Sequence, residues 1–309
     1  MRRGSGSMPM VLLFAALLAV LGASGAADAA PRLDACVTVV ADPGVNPGVA
    51  RACREALAQA WPAMIAEVWP IDGARPRFEI RLMTTGGFQA LHRDRIADWG
   101  VGLAADDRAW VDVQRSLGGG RTAAHVTVHE AVHCLLHQAL PGVTGVPAWF
   151  HEGLAQDLSG EWRFRDTVSL ILDGHVPDLA NLETGFPADA GRADQAYRTG
   201  LLAVQSLRAW HGQDVVPRLV VAARRTGDFR EAMREVTGAQ PSVFRERFAA
   251  SVRVRFGWLV AATRWPTFFV LIALIAGVGI AARRRRDRRR FEALDGAPAS
   301  PNDIENDLH

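Results

Sequence analysis

The fold class this sequence predicts is α+β, with short strands confined to the first half of the domain and helices filling the second. Two runs rich in β-branched and apolar residues, Cys36 to Ala41 (CVTVVA) and Arg77 to Thr84, flank a stretch whose apolar residues recur at helical spacing. Beyond Gly160 the pattern turns helical, in separable pieces. The 309-residue chain then ends in an apolar run and an arginine block that no domain core would contain.

In chain order, Arg2 and Arg3 precede an apolar run from Met10 to Leu21, and Ala27-Asp28-Ala29 is a small-x-small pattern. Residues 1–29 therefore read as a secretory signal peptide, cleaved after Ala29 or Ala30. The competing reading is a retained anchor, but the run is short for a span and no stop-transfer charges follow it. The CVTVVA strand is broken by Asp42-Pro43-Gly44. From Pro47 to Trp69, Val49, Cys53, Leu57, Trp61, Met64, Ile65 and Val68 share one helical face, and Pro62 is expected to kink or divide that helix.

The Arg77–Thr84 run alternates, with Phe78, Ile80 and Leu82 on one side, and Gly86-Gly87 is expected to end it. Trp99 to Ala104 leads to another strand, Ala109 to Arg115. After Gly118-Gly119-Gly120 a helix begins near Thr122 and stops before Pro141-Gly142; a second runs from Pro147 to Leu158. Gln195 to His211, Val215 to Arg225 and Phe229 to Val236 complete the helical half.

No residue from Trp265 to Ala282 is charged, and extending the run back to Trp258 adds only Arg264. Residues 258–282 are thus expected to form a transmembrane helix, with Arg264 snorkelling to the interface. Arg283 to Arg286 and Arg288 to Arg290 follow directly, a stop-transfer signal that places the tail, 283–309, in the cytoplasm. The domain between, 30–257, is expected outside the cytoplasm, in the periplasm, tethered to membrane lipid by the C-terminal helix.

The formal net charge of +2 resides in the two ends, so the domain itself is near neutral and has no electrostatic case for nucleic acid. Every basic residue is arginine, and the absence of lysine excludes a Schiff-base mechanism. Of the three cysteines, Cys36 and Cys53 form either a disulfide or two separate buried thiols. Cys134 follows a histidine of the motif below; one residue along a helix turns about 100°, which points it away.

His129-Glu130-Ala131-Val132-His133 is a His-Glu-x-x-His pentapeptide. On a helix the two histidines share a face and reach one ion, while Glu130 lies beside it, placed to take a proton from water. Neutral imidazoles suit zinc, which at a catalytic site takes three protein ligands and leaves a fourth position open. A helix bearing two hydrogen-bonded histidines is the bland alternative, and His125 and His137 extend the row at four-residue steps. A third donor comes from Trp149-Phe150-His151-Glu152-Gly153-Leu154-Ala155, in which Glu152 follows His133 after eighteen intervening residues. Two histidines and one glutamate make a zinc set. His151 is the rival third ligand from the same element.

With these residues the sequence resembles the gluzincin branch of the zincin metallopeptidases, and more closely the bacterial peptidase MA-like domains. The likeness rests on HEAVH, on VPAWFHEGLA and on Tyr197-Arg198-Thr199-Gly200, and loosely covers most of the domain. It implies a zincin-like fold, with a small twisted sheet over the active-site helix, and a peptide or protein substrate paired as an added strand against the edge strand Ala109–Arg115. It also implies that Tyr197, the single tyrosine, stabilises the oxyanion of the tetrahedral intermediate, the alternative being a packed tyrosine at a helix interface. One departure stands out. Where thermolysin-like enzymes carry a bracing Asp one turn after the ligand glutamate, this chain has Gln156, with Asp157 beside it.

The function expected from these residues is zinc-dependent peptide hydrolysis, with His129, His133 and Glu152 as ligands of one zinc ion and Glu130 as the base. The rival expectation is a weak or inactive zincin-fold binding module tethered to the membrane.

Overall fold

The computed structural model describes residues 31–70, 74–92, 100–115, 122–160, 178–263 and 265–295, with backbone alone over 255–263, 265–268 and 290–295. The expected signal peptide lies outside the described residues. A single turn, α1 (Leu33–Cys36), runs into strand β1 (Val37–Ala41). Helix α2 (Pro47–Val68) follows, opened by Asn46, whose side chain accepts a hydrogen bond from the Gly48 amide at 2.7 Å. Pro47 occupies the first turn, where its missing N–H has no helical partner to lose. Pro62 does not divide this helix. It sits on the exposed face while Trp61, Met64 and Ile65 are buried, so packing of the apolar face carries the helix through the lost hydrogen bond.

Strand β2 (Phe78–Met83) pairs parallel with β1, with Val37 opposite Phe78 and Ala41 opposite Leu82. Gly86-Gly87 does not simply end it: both glycines lie in the first turn of α3 (Thr85–His92). Strands β3 (Gly102–Ala105) and β4 (Arg108–Asp112) form an antiparallel hairpin, whose turn at Asp106 adopts a positive φ of 46°. The mixed sheet has the order β1-β2-β4-β3, since β4 also pairs parallel with β2.

This order corrects one expectation. The strand read as Ala109–Arg115 is interior, and the edge strand is β3. The reason is local: Gly102 to Ala104 had been read as a lead-in, whereas Asp106-Asp107 turns the chain back and gives β4 a partner on each side.

Helix α4 (Ala123–Ala139) packs against the sheet at β2, β4 and β3 and against α2. Its start is a reciprocal cap: Thr122 Oγ1 accepts from the His125 amide at 3.3 Å, and the Thr122 amide donates to His125 Nδ1 at 3.3 Å. His125 is therefore spent on the helix terminus. Val128, Leu135 and Leu136 are almost wholly buried, each contributing about 1.5–3 kcal/mol of apolar burial.

Helix α5 (Ala148–Ser159) leads, through a 3-10 turn at Leu179–Leu182, to α6 (Ala190–His211), α7 (Val215–Thr226) and α8 (Phe229–Thr237). Asp189 and Asp228 cap α6 and α8 through the Arg192 and Glu231 amides, both at 2.9 Å. The result is an α+β domain in which one core joins the sheet to the helical half. Cys36, Cys53 and Cys134 are buried free thiols, so Cys36 and Cys53 are not bridged. Burial pushes all three thiols up.

Two helices close the chain, α9 (Pro241–Thr263) and α10 (Trp265–Asp295). Among the described residues no helix is long and apolar enough to cross a membrane. The predicted span 258–282 straddles both helices, and its first part has side chains outside the described residues. From Phe269 to Ile280 its large apolar side chains are exposed.

Candidate metal centre

Two helices from separate stretches of sequence build the centre. Because α4 winds with 3.6 residues per turn, His129 and His133 stack on one face, ring centroids 4.8 Å apart and nearly perpendicular. Glu152, on the second turn of α5, turns its Oε2 toward both: His129 Nε2 is 3.1 Å away and His133 Nε2 is 3.3 Å away. The three ligand atoms lie within 4.8 Å of one another, so this group could hold a metal ion. Burial pushes the Glu152 carboxyl upward, but the charge of His133 and the hydrogen bonds from His129 and His133 outweigh it. The carboxyl is held below its ordinary range. An anionic oxygen facing two imidazoles is what a cation needs.

Glu130 is 7 % exposed and His129 4 %. Burying a carboxylate on a helix has a free-energy cost that a purely structural helix avoids by placing it in water. The room for Glu130 comes from the edge strand: a Cβ on Gly102 would lie 2.7 Å from Glu130 Cδ and 2.9 Å from its Cγ. Gly102 thus lets the sheet edge close over this carboxylate. Sequence reasoning passed over this glycine, because nothing local marks which distant side chain it must admit.

The approach of α5 to α6 has a similar origin. A Cβ on Gly200 would stand 2.8 Å from the Trp149 carbonyl, and one on Gly153 would meet the Gly200 carbonyl and Val204 Cγ2, the latter at 2.9 Å. Two helix backbones touch where neither residue has a side chain. Tyr197 lies one turn before Gly200, and the contact brings its ring within 6.2 Å of the His129 ring and 4.9 Å of Phe186. The glycines of HEGLA and of Tyr-x-x-Gly are therefore the two halves of one contact.

His151 falls outside the group of His129, His133 and Glu152 that could hold an ion. Its ring stacks on His133 at 6.0 Å and lies 5.5 Å from His137. Burial first, then the neighbouring His133 and His137, push its pKa down to about 3, so it packs as a neutral ring. Asp157 does not turn to the histidines either. Arg208 donates to it at 3.2 Å and to both Glu67 oxygens at 3.0 and 3.1 Å, tying α5, α6 and α2 together behind the site.

A cleft of about 670 Å³ opens over the group, lined by Gly102 to Ala104 of β3, by the metal-binding group with Glu130, and by Tyr197. Glu183, Arg230 and Arg245 line it too, none of which the sequence patterns singled out. They come from three elements that meet only in the folded chain.

No protein-family model matches the chain, and no curated protein matches it. The functional reading therefore rests on this geometry and its chemistry.

Proposed function

We propose that the chain is a zinc-dependent peptidase with a gluzincin-type centre on a zincin-like fold, in which His129, His133 and Glu152 hold the ion. The observation that carries this reading is the spacing of Glu152 Oε2 from the two imidazole nitrogens. Tetrahedral zinc with bonds of about 2.0–2.1 Å sets its ligand atoms about 3.3 Å apart, and the two Nε2–Oε2 separations are 3.1 and 3.3 Å. Imidazole nitrogen with carboxylate oxygen also suits zinc better than a calcium or magnesium site built of oxygens alone. When bound, zinc supplies a Lewis acid that polarises the scissile carbonyl and acidifies water.

The remaining work falls to the chain. Glu130 takes the proton of the attacking water and delivers it to the leaving amine. Tyr197, at the cleft beside His129, donates a hydrogen bond where negative charge develops on the carbonyl oxygen. An extended peptide or protein segment lies along β3, the edge strand that rims the cleft, and is held by main-chain hydrogen bonds.

Purified protein and its Glu130→Gln variant test this. Both are expected to hold about one zinc per chain, and only the first to cleave an unfolded protein, the variant losing on the order of 10²–10⁴ in rate. Equal cleavage by the two removes Glu130 as base. Zinc retained with no turnover on any peptide library favours a binding module instead, the reading that Gln156 at the bracing position supports.

We infer further that α10 anchors the domain to the membrane, with the peptidase domain on the extracytoplasmic side. Supporting this, exposed large apolar residues occur on every face of the helix from Phe269 to Ile280, and Arg283 to Arg286 follow. The full chain should stay in the pellet after alkaline carbonate extraction of membranes; release into the supernatant rejects the anchor.

A further inference from the structure

We infer that the cleft binds a carboxylate of the substrate through the guanidinium of Arg230; this rests on the peptidase reading above. Arg230 and Arg245 line the same cleft as the metal-binding group, and Glu183 is the only acid lining it besides Glu130 and Glu152 among the described residues. Two guanidinium groups facing one carboxylate leave a positive charge over.

The pairing is unequal. Arg245 donates directly to Glu183, whereas Arg230 Nη2 stands 3.9 Å from Glu183 Oε2, beyond hydrogen-bond range. The Arg230 side chain is 67 % exposed. Asp228 also faces the charge of Arg230, but its oxygens make their hydrogen bonds elsewhere, accepting from the Glu231 amide at 2.9 Å and the Thr144 hydroxyl at 3.3 Å.

The stem of Arg230 lies along Gly145, where even an added Cβ would touch its Cγ at 3.5 Å. The Phe229 amide, next in the chain, donates to the Thr144 carbonyl at 2.9 Å. On the opposite side the Ala148 amide donates to the Glu183 carbonyl at 2.9 Å, so Glu183 is fastened to the first residue of the helix that carries Glu152. A planar fork of donors in the cleft that also holds His129, His133 and Glu152 recognises a carboxylate in bidentate fashion. That carboxylate is either an acidic side chain or the C-terminus of the peptide.

Four matched peptide libraries, with Glu or Gln at one fixed position and each ending in a free carboxylate or an amide, separate these sources. Binding to the zinc-loaded full-length Glu130→Gln protein is read by fluorescence anisotropy, and cleavage by the wild type in parallel. The expected result is about tenfold tighter binding of one carboxylate-bearing set, a ratio that Arg230→Ala brings to about one with zinc content and circular dichroism unchanged. Preference following the free terminus identifies the chain end, and preference following Glu identifies the side chain. No preference in the parent protein, or one that survives in Arg230→Ala, overturns the inference. Carboxylate-selective binding without cleavage by the wild type would overturn the peptidase reading and leave the arginine site standing.

Discussion

Gly102 has no side chain in the one place where the Glu130 carboxylate needs the space. Replacing it with alanine would put a Cβ 2.7 Å from Glu130 Cδ, and the flexible acid, not the hydrogen-bonded strand, would give way. In the proposed hydrolysis, displacement of the base by about 1 Å costs on the order of 10²-fold in rate. Gly102→Ala is therefore expected to lower kcat by about that factor while zinc content stays near one per chain. Steady-state kinetics beside metal analysis checks this, and an unchanged kcat would dissociate the strand from the base. The pairing of His129 with His133 on one face was readable from sequence because i, i+4 spacing on a helix is a local fact. Gly102 was not, since its partner lies on another element and is reached only by folding.

Helix against helix, the centre depends on the crossing of α5 and α6. Their glycines allow main chains to touch, and Glu152 is the residue immediately before Gly153. Overpacking a site of this kind costs about 1–3 kcal/mol or more. Gly153→Ala should therefore lower the melting temperature by several degrees and weaken zinc binding, since a shift of α5 away from α6 carries Glu152 with it. Thermal unfolding with a competitive zinc titration measures both, and loss of stability with unchanged zinc affinity would show that the helix shifts elsewhere. The element boundaries of α4, α5, α7 and α8 follow from caps and periodicity that lie within each segment. The strand order does not: a hairpin placed β3 at the edge, and nothing in the apolar pattern of Ala109 to Arg115 distinguishes an interior strand from an outer one.

Over the whole domain, an ion held by the buried His129, His133 and Glu152 would couple its binding to folding. A ligand that binds only the native state stabilises it by about 2.7 kcal/mol at a hundredfold excess over Kd. Zinc should raise the melting temperature of the metal-free protein, and Glu152→Ala should abolish the rise. A rise of equal size in Glu152→Ala would place the ion elsewhere. Behind the centre, Arg208 with Glu67 and Asp157 joins three helices that sequence alone would not have associated. Its Arg208 side chain is 10 % exposed, so removal of one partner would strand a charge in the interior.

Local interactions are written directly in the chain: caps, breaks, helical faces, and the four-residue step that pairs His129 with His133 all involve residues a turn or less apart. Folding alone settled which strand meets the cleft, why two glycines face each other, that Asp157 turns to Arg208 and that Arg230 joins the cleft. Each of those is a contact between residues distant in the chain, selected by close packing of the entire core, and no periodicity within one segment records it.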